Sequence, residues 1–569
     1  MSKEKRKRFV ADFETTKGEG NTHIWAYGIT EVGNTNFFTW GKTLDQFFAF
    51  CEKGNPIVYF HNLKFDGEFL FHYLLTHGYS YNKEKKDKTF TTIISDMGQF
   101  YAIEVIFEKM NKSYKKVTIY DSLKKLPFSA KKIAKDFKLP IQKLEIDHNI
   151  YRPIGYEPSL EEIHYLRNDV EIIARALKIQ YDSGLIKMTN GSDAMYDFKK
   201  IVGKKDYERT YPVLDTVVDS DIREAYRGGF TYLNKKYAEK DVGSGVVLDV
   251  NSLYPYVMYS KPLPYGTPIF FHGEYEQDDM YPFYIQAFWC EFKLKKDKIP
   301  SIQVKGTLQF VPTEYIEDSG DDPVWLCLTN IDLDLFFEHY DVHILEWCEG
   351  WKFKAYQGMF TSYIEKWTKV KEDNAQERNA LYTLAKLMLN SLYGKFASRP
   401  DLKGKYPFLD PDTNTVRYGR TDVVHKDPIY TALSCFVTSW ARDLTIRSAQ
   451  KEYHRFIYAD TDSLHLEGTT IPDSLEIHNS KMGAWKVEGT FDRGRFIRAK
   501  TYIEEFEGVL SVTCAGMPDN VKTLVTWENF RKENSNMLMP CRDGSYYGKL
   551  MPKRVDGGVI LTDSIFTIR

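Results

Sequence analysis

Apolar residues along this chain follow strand and helix periods in turn. Residues 8–16 and 56–60 predict strands, and residues 245–255 predict a buried strand that ends at Pro255. Residues 456–466 predict a strand, a tight turn and a returning strand. Together with the helices described next, these segments indicate a multidomain α/β protein.

Three helices are predicted from capping residues and apolar stripes. Ser159 is expected to cap a helix over 160–176, with Glu162 in the capping-box position. A helix between 376 and 393 places on one stripe Leu381, Leu384, Met388 and Leu392. An earlier helix carries on one stripe Tyr363, Trp367 and Val370. We expect these last two helices to pair as an antiparallel hairpin.

Four acidic residues stand at related positions on the first elements. Asp12 and Glu14 are two residues apart on the first strand and therefore face the same side. Asp66 lies one turn along a helix predicted after the second strand, and Tyr165 and Asp169 share a face four residues apart. Each piece alone also fits a solvated strand face or a surface hydrogen bond.

Two further aspartates, Asp460 and Asp462, lie at the predicted tight turn of 456–466. Placing two carboxylates at such a bend is costly unless a cation lies between them. A hard divalent metal such as Mg²⁺ fits, because it prefers oxygen ligands. Asp249, at the end of its strand, supplies a third carboxylate. Taken alone, the segment with Asp460 and Asp462 also fits an Asx-rich hairpin turn without a metal.

A row of polar residues faces away from the apolar stripe of the 376–393 helix. Lys386, Asn390 and Tyr393 fall together and suit a triphosphate, a sugar and a base, although a solvated face gives the same pattern. Lys371 on the preceding helix points toward the same place. The turn at 226–230 offers backbone amides and Arg227 that could lie against phosphate.

Composition narrows the class of protein. A length of 569 residues predicts several domains, on a scale of ~100–200 residues each, and 43% hydrophobic residues allow large cores. A net charge of −2 excludes a uniformly basic nucleic-acid coat. Seven cysteines without a CxxC pair argue against zinc and a disulfide framework and for a reducing cytosol. No signal peptide, membrane span or phosphate-binding P-loop is predicted.

The order of these motifs resembles known families. DxE on the first strand, NxxxD after the second and YxxxD on a late helix resemble the exonuclease motifs of the DnaQ-like 3′–5′ proofreading family. DxxSLYP at 249–255, KxxxNSxYG at 386–394 and YxDTDS at 458–463 resemble motifs A, B and C of family B DNA polymerases. With YRGG at 226–229 and Lys500-Thr501-Tyr502, the whole chain resembles the protein-primed DNA polymerases of small Bacillus phages with linear genomes, the phi-twenty-nine group.

The resemblance implies a ribonuclease-H-like exonuclease domain with two metal ions. Its metal ligands would be Asp12, Glu14, Asp66 and Asp169, with Glu145 as a weaker candidate. Tyr165 would orient the attacking water and Lys143 would neutralise the scissile phosphate. The frayed primer end would be held by His61, Asn62, Phe65, Ser122 and Leu123.

The resemblance also implies a polymerase site with two Mg²⁺ ions, with Mn²⁺ as an alternative. Asp249, Asp462 and the carbonyl of Val250 would bind the metals, and Asp460 would support them. The incoming dNTP would be contacted by Tyr254, Lys371, Lys386, Asn390 and Tyr393. Primer and template DNA would be contacted by Tyr226, Gly228, Gly229, Phe230, Thr438, Arg442, Lys500 and Tyr502.

By the same resemblance the chain divides into an exonuclease domain and a right-hand polymerase with palm, fingers, thumb and two palm insertions. The expected segments are exonuclease 1–190, palm 191–260, insertion one 261–358, fingers 359–397, insertion two 398–427, palm 428–525 and thumb 526–569. Insertion one would contact the terminal (priming) protein, and insertion two would support processivity and strand displacement. The protein would be a monomer in the cytoplasm of the bacterial host, without a membrane association.

Three functions other than a proofreading DNA polymerase fit parts of the sequence pattern. They are a nuclease whose C-terminal region only binds DNA, a reverse transcriptase and a non-catalytic replication scaffold. All seven carboxylates that the two reactions need are present. Their presence argues against the nuclease and against the non-catalytic scaffold. Ala459 inside motif C, His148 and a short link at 503–513 depart from the pattern and leave the exonuclease strength and the thumb connection open.

Overall fold

The computed structural model describes residues 6–569 apart from 17, 19, 21, 112, 149, 304–313, 321, 535–538, 541–545 and 548. The first segment contains the strands β1 (Arg8–Thr15), β2 (Ile24–Glu31), β3 (Asn34–Gly41), β4 (Ile57–Phe60), β5 (Ser80–Tyr81), β6 (Thr89–Ile94), β7 (Phe100–Met110) and β8 (Ser113–Asp121). Its helices are α1 (Leu44–Gly54), α2 (Leu63–Thr76), α3 (Ala130–Asp136) and α4 (Leu160–Asp182).

The eight strands form one sheet, the N-terminal sheet, in the order β3-β2-β1-β4-β8-β7-β6-β5. β1, β4 and β8 run parallel to one another, so their carboxyl ends meet at one edge. Along β1, Phe9, Ala11 and Phe13 enter one core, whereas Val10 packs with α4 in another. Because side chains alternate along a strand, Asp12 and Glu14 point to the α4 side, as predicted.

α4 confirms the predicted helix and its cap. The Ser159 side chain accepts a hydrogen bond from the Glu162 N–H, and Glu162 accepts one from the Ser159 N–H, which completes the capping box. The helix continues to Asp182, beyond the predicted end. Its buried face lies over β1 and β2 and carries Tyr165 and Asp169 toward the acidic residues of β1.

The next segments complete the chain. Residues 190–260 contain α5 (Asn190–Val202), α6 (Lys204–Thr210), α7 (Thr216–Glu224), β9 (Thr231–Leu233), β10 (Asp241–Val242), β11 (Gly245–Val250) and α8 (Leu253–Ser260). Residues 263–356 contain β12 (Leu263–His272), β13 (Phe283–Leu294), β14 (Val324–Thr329), α9 (Asn330–His339) and β15 (Tyr340–Tyr356). Residues 361–425 contain α10 (Thr361–Asp373), α11 (Ala380–Ser391), α12 (Tyr393–Phe396), β16 (Asp401–Leu402), β17 (Lys405–Leu409), β18 (Val416–Arg420) and β19 (Val424–His425).

The last third begins with a long buried helix. It contains α13 (Thr431–Lys451), β20 (Phe456–Asp460), β21 (Ser463–Glu467), β22 (Trp485–Phe491), β23 (Arg493–Arg498), β24 (Thr501–Phe506), β25 (Val509–Cys514), α14 (Asp519–Lys522), β26 (Met539–Pro540), β27 (Tyr546–Tyr547), β28 (Lys549–Val555) and β29 (Gly558–Ser564). Among the described residues, no helix is both long enough and apolar enough to cross a membrane.

An antiparallel five-stranded sheet, the central sheet, has the order β22-β11-β21-β20-β9 and joins segments more than 200 residues apart. α13 packs against it, and its side chains belong to the largest core of the molecule. Two four-stranded sheets flank it, one ordered β12-β15-β13-β14 and one ordered β10-β23-β24-β25. The predicted hairpin at 456–466 is confirmed as β20 and β21.

Two sequence-based expectations about these elements were wrong in detail, and the structure also shows how the link at 503–513 is built. The strand expected to reach Pro255 ends at Val250, and Pro255 lies in the first turn of α8, where its missing N–H is not needed. The link at 503–513 is the simple hairpin of β24 and β25. α11 begins only at Ala380, and Leu381 is 38% exposed rather than part of the buried stripe.

The helix pair itself is confirmed. The Tyr363 hydroxyl near the start of α10 donates to the Met388 carbonyl near the end of α11 at 2.8 Å, so the two helices run antiparallel. The Asn379 side chain caps α11 by accepting from the N–H groups of Leu381 and Tyr382. This cap, rather than the apolar periodicity, determines where the helix begins.

The hairpin of β28 and β29, the C-terminal hairpin, returns to the first segment. Arg554 Nε donates to Glu68 Oε1 on α2 at 2.9 Å, and Asp556 Oδ1 lies 2.9 Å from His72 Nε2. Asn414, in the loop between β17 and β18, donates to the same Asp556 oxygen at 2.6 Å. Three segments distant in sequence therefore meet at one contact.

Candidate functional site

The central sheet brings three aspartates to one end. Asp249 lies opposite Ser463 in the pairing of β11 with β21, and Asp460 lies opposite the same serine in the pairing of β20 with β21. Asp462 follows in the two-residue turn, and its carbonyl accepts the Val250 N–H at 2.7 Å. Residues 456–467 are called the aspartate hairpin below.

The charges of two of these aspartates are poorly compensated. Burial, followed by the charge of Asp462, raises the pKa of Asp249 to about 7, against smaller opposing effects of Lys486 and Lys386. Burial and the charge of Asp460 also raise the pKa of Asp462. Two converging carboxylates with raised pKa values fit a divalent cation, which would favour their charged forms.

Asp460 has a different environment because a lysine neutralises it. Lys500 Nζ lies 2.9 and 2.7 Å from its two carboxylate oxygens, and Thr231 Oγ1 donates to it at 3.1 Å. The Lys500 N–H donates to the Tyr458 hydroxyl at 2.9 Å, which holds the lysine beside the hairpin. The Tyr502 ring stacks on the Phe496 ring at a centroid distance of 5.1 Å.

Two lysines and two tyrosines lie beside Asp249 and Asp462. Lys371 Nζ is 3.3 Å from Ser252 Oγ, and burial followed by the charge of Lys386 lowers its pKa. The Tyr254 and Tyr393 rings stack at 4.1 Å with an interplanar angle of 22°. Since like charges repel, the two lysines would be stabilised by an anion between them, such as a triphosphate. Of the other predicted nucleotide residues, Asn390 is exposed on the same helix as Lys386.

The N-terminal sheet forms a second carboxylate site, the four-acid site, made of Asp12, Glu14, Asp66 and Asp169. Asp12, Glu14 and Asp169 each place a carboxylate oxygen within 4.8 Å of the others. The charge of Asp12 contributes to the raised pKa of Asp66. The buried atoms Asp66 Oδ1 and Asp169 Oδ1 have no hydrogen-bond partner in the described part of the chain. Oxygen atoms left in this state fit a hard divalent metal ion.

Burial and mutual repulsion dominate the electrostatics of the four-acid site. Burial, followed by the charge of Asp169, raises the pKa of Asp12 to about 7, and burial raises the pKa of Glu14 well above its ordinary value. Lys143 opposes this, because its ammonium group pairs with Asp169 Oδ2 and lies 3.3 Å from the Tyr165 hydroxyl. His148 Nδ1 is 4.0 Å from Glu14 Oε2, so this departure from the family pattern adjoins the site.

Residues predicted to hold a primer end lie at the carboxyl ends of β4 and β8. His61 Nδ1 is 2.9 Å from Ser122 Oγ, which joins the two strand ends. The N–H groups of Asn62 and Leu123 donate to Asp121 Oδ1 at 3.2 and 3.0 Å. The sequence reasoning missed Asp121, although an acidic residue directly before the predicted Ser122-Leu123 pair was a usable signal. Phe65 packs against Phe69 in the first turns of α2.

Several predicted DNA contacts are buried instead. Phe230 is fully buried in the core, Thr438 donates to carbonyls of its own helix, and the Arg442 side chain is enclosed by protein partners. Arg227 is half-buried, and its Nη1 donates to the Cys327 carbonyl at 2.8 Å. Thr438 and Arg442 use side-chain polar atoms on protein groups and Phe230 lies in the core, so these three side chains do not contact DNA in this conformation.

The remaining residues predicted to bind metal or DNA differ in their exposure to solvent. Glu145 is exposed and is not among the three carboxylates that converge in the four-acid site. Gly228 is exposed, with nothing within 4 Å of an added Cβ atom, whereas a Cβ at Gly229 would lie 2.6 Å from Thr461 Oγ1. Tyr226 is half-buried next to Gly228. Gly229 is therefore a close-packing position against the aspartate hairpin.

Comparisons with known proteins show which family this chain resembles. A family model described as DNA polymerase type B, organellar and viral, matches residues 50–480. The DNA polymerase of Bacillus phage Nf is 47% identical over 584 residues, covering 99% of this chain and 100% of that protein. The DNA polymerase of Streptococcus phage Cp-1 is 33% identical over 594 residues, covering 99% and 98%.

Solved structures give the same result. The structure of phi29 DNA polymerase complexed with primer-template DNA has a TM-score of 0.93 at 44% identity and covers 99% of this chain and 100% of that one. The ternary complex of phi29 DNA polymerase with primer-template DNA and incoming nucleotide substrates also has a TM-score of 0.93 at 44% identity, with the same coverage.

Proposed function

Since this chain belongs to the type B DNA polymerases and is a DNA-directed DNA polymerase, we propose that it replicates a linear phage-type genome from a protein primer. It does so processively, with strand displacement, and it proofreads with a 3′–5′ exonuclease. The observation that carries the proposal is the presence of two separate carboxylate sites on one chain, each containing half-buried or buried acids with raised pKa values. One site lies beside cations suited to a triphosphate and the other does not.

In the polymerase site, each group has a distinct task. Asp249, Asp462 and the Val250 carbonyl would hold Mg²⁺ or Mn²⁺. Two such ions, when bound, lower the pKa of the attacking hydroxyl and stabilise the leaving oxygen in an in-line displacement. Lys371 and Lys386 hold the triphosphate by charge.

The stacked tyrosines shape the rest of the nucleotide site. Tyr254 lies under the sugar and excludes a 2′-hydroxyl group, and its position is fixed by the stacked ring of Tyr393. Asp460 keeps Lys500 beside the aspartate hairpin through the ion pair described above, where the lysine meets the primer end. Selection and primer placement therefore use residues that do not ligate metal.

In the exonuclease site, the four acids would hold the same kind of ion. Lys143 neutralises negative charge at the scissile phosphate, since its ammonium group already lies between Asp169 and the Tyr165 hydroxyl. Tyr165 orients the attacking water by hydrogen bonding. The raised pKa values of Asp12 and Glu14 mean that ion binding displaces protons from this site near neutral pH.

The family supports a proposed set of segments and partners. We assign residues 1–190 to the exonuclease, 191–260 and 428–525 to the palm, 359–397 to the fingers and 526–569 to the thumb. Residues 261–358 contact the terminal protein, and residues 398–427 separate the downstream duplex. The substrates are primer/template DNA and dNTPs, and the enzyme acts as a monomer in the cytoplasm of the bacterial host.

Primer extension on a single-stranded circular template with Mg²⁺ and dNTPs tests this function. We expect products longer than one circle from the unmodified protein and none from Asp462→Ala. Asp12→Ala/Glu14→Ala should retain synthesis without primer degradation. Asp473→Ala, which removes an exposed acid, serves as the control for the first variant.

The opposite results separate the alternatives. If the unmodified protein only degrades the primer, a nuclease with a DNA-binding C-terminal region replaces the polymerase. Products that stop at one full circle refute strand displacement while leaving synthesis in place. Protein priming is tested separately, by asking whether a purified terminal protein becomes linked to labelled dNMP.

A further inference from the structure

One face of α13 connects a distant helix to the aspartate hairpin. Ser439, Arg442 and Thr445 are three residues apart and therefore share this face, and all three are buried. Each uses its polar atoms on a partner outside α13: Ser439 and Arg442 on α9, and Thr445 on the hairpin. The face is thus a structural connection and not a solvent or DNA surface.

At one end of this connection, Asp332 of α9 binds Arg442 in a bidentate ion pair. Asp332 Oδ1 accepts from Arg442 Nε at 3.0 Å, and Oδ2 accepts from Nη2 at 2.6 Å. Ser439 Oγ and Thr329 Oγ1 donate to Oδ2 at 2.7 and 3.0 Å. The charged pair is buried but fully hydrogen-bonded, which fixes the orientation of the guanidinium group.

The remaining nitrogen of that guanidinium group holds a backbone segment. Arg442 Nη1 donates to the carbonyls of Arg227 and Gly228 at 3.0 and 2.6 Å. Directly after them, the Phe230 carbonyl accepts the Thr461 N–H at 2.6 Å, and Gly229 lies against the Thr461 side chain. The segment 227–230 is therefore held by Arg442 on one side and presses on the aspartate hairpin on the other.

Thr461 is strained and depends on these contacts. Its φ of 62° lies in the left-handed region, which a β-branched residue rarely adopts. Such a conformation persists only where the surrounding structure over-determines it. Besides the Phe230 bond, the Thr461 carbonyl accepts from Thr445 Oγ1 at 2.7 Å. Thr461 is the residue between Asp460 and Asp462, so a shift of its backbone would move the turn that carries both aspartates.

We propose that Asp332 is a positioning residue for DNA synthesis, acting through Arg442 and the segment 227–230 on the two carboxylates of the aspartate hairpin. This inference rests on the proposed polymerase function of that hairpin. It assigns to Arg442 an internal role in place of the predicted DNA contact. It also gives α9, which lies in insertion one, a direct mechanical route to the polymerase site.

Asp332→Asn tests the proposal, with Asp334→Asn on the same helix as the matched control, because Asp334 is exposed. We expect the maximal rate of dNTP incorporation to fall by about 10- to 100-fold in Asp332→Asn, since a misplacement of about 1 Å has an effect of this size. The Mg²⁺ concentration for half-maximal synthesis should rise several-fold, while the KM for dNTP changes little. Exonuclease activity on single-stranded DNA should stay at the unmodified level and report on folding.

A second variant covers the case in which an unpaired buried arginine unfolds the protein. Asp332→Asn/Arg442→Gln removes both charges, so the protein should regain exonuclease activity but remain slow in synthesis, because the contacts to the segment 227–230 are still lost. Wild-type synthesis in either Asp332 variant, or an unchanged Mg²⁺ requirement in both, overturns the proposal. Absence of synthesis in the unmodified protein refutes the polymerase function itself, which distinguishes the two failures.

Discussion

Substitution of Gly229 by alanine gives a direct test of how the aspartate hairpin is held. A Cβ atom at this position would lie 2.6 Å from Thr461 Oγ1, 2.7 Å from its Cγ2 and 3.0 Å from its Cβ. Ordinary contacts begin near 3.4 Å, so the two segments must separate by about 0.8 Å. Thr461 cannot move alone, since both of its backbone polar groups are hydrogen-bonded.

The size of this shift predicts a large kinetic effect. Displacements of about 1 Å at reacting groups reduce rates by about 100-fold, which corresponds to about 2.7 kcal/mol of transition-state free energy. We therefore expect Gly229→Ala to lower the single-turnover rate of nucleotide incorporation by that order at saturating dNTP and Mg²⁺. The four-acid site is built on the N-terminal sheet and α4 and not on the central sheet, so degradation of single-stranded DNA should be unchanged.

Gly243→Ala is the control for the added methyl group. Gly243 precedes β11, and nothing lies within 4 Å of a Cβ atom built there. Equal rates of synthesis in the two alanine variants would refute the steric reasoning. A parallel loss of exonuclease activity in Gly229→Ala would instead indicate general destabilisation, which thermal unfolding would detect.

Four further predictions concern the polymerase site. Tyr254→Val removes the ring that stacks at 4.1 Å on Tyr393, so discrimination against ribonucleotides should fall by about 10- to 200-fold, measured as the ratio of kcat/KM for dNTP and rNTP. Because the pKa of Asp249 is raised to about 7, protons compete with metal for this carboxylate below that pH. In Mg²⁺ titrations at pH 6, 7 and 8.5, the Mg²⁺ concentration for half-maximal synthesis should rise by up to about tenfold per pH unit on the acid side only. The folded state binds the proton of Asp249 more tightly than the unfolded state does. Without metal, the contribution of Asp249 to the free energy of unfolding should therefore decrease from about pH 4 to pH 7. Thermal melting of Asp249→Asn at the same pH values should lack this change. Lys500→Ala should slow synthesis by about tenfold in the primer-extension assay. The effect should be no larger because Lys500, which neutralises Asp460, is half exposed and its charge is screened by solvent. Lys500→Arg should recover most of the rate in the same assay.

Several carboxylates of the two candidate sites could be predicted because their relative placement follows short-range rules. Asp12 and Glu14 share a strand face by the period of two, and Tyr165 and Asp169 share a helix face by the spacing of four. Asp460 and Asp462 mark a turn that two flanking apolar strands define. Spacing alone left a solvated face or an Asx-rich turn open for each piece, and the order of the motifs along the chain decided between them; the structure brings Asp12, Glu14 and Asp169 together.

The buried positions could not be predicted in this way. Arg442 was expected to face DNA, but its partner Asp332 is 110 residues away in the sequence, and no local pattern links them. Leu381 fitted the apolar period of α11 but lies in the first turn beyond the packed surface. In both cases, tertiary packing decided between two locally equivalent arrangements.

The contact of the C-terminal hairpin with α2 also constrains how the chain can be made. Gly558 packs so closely on Phe69 that an added Cβ would lie 2.5 Å from its ring, and Asp556 meets a histidine 484 residues earlier. During synthesis, the N-terminal domain can fold long before its partner exists. The surface of α2 around Phe69 and Glu68 therefore stays uncovered until the C-terminal hairpin leaves the ribosome, and a chain that stops short of residue 550 would present that surface permanently to other proteins.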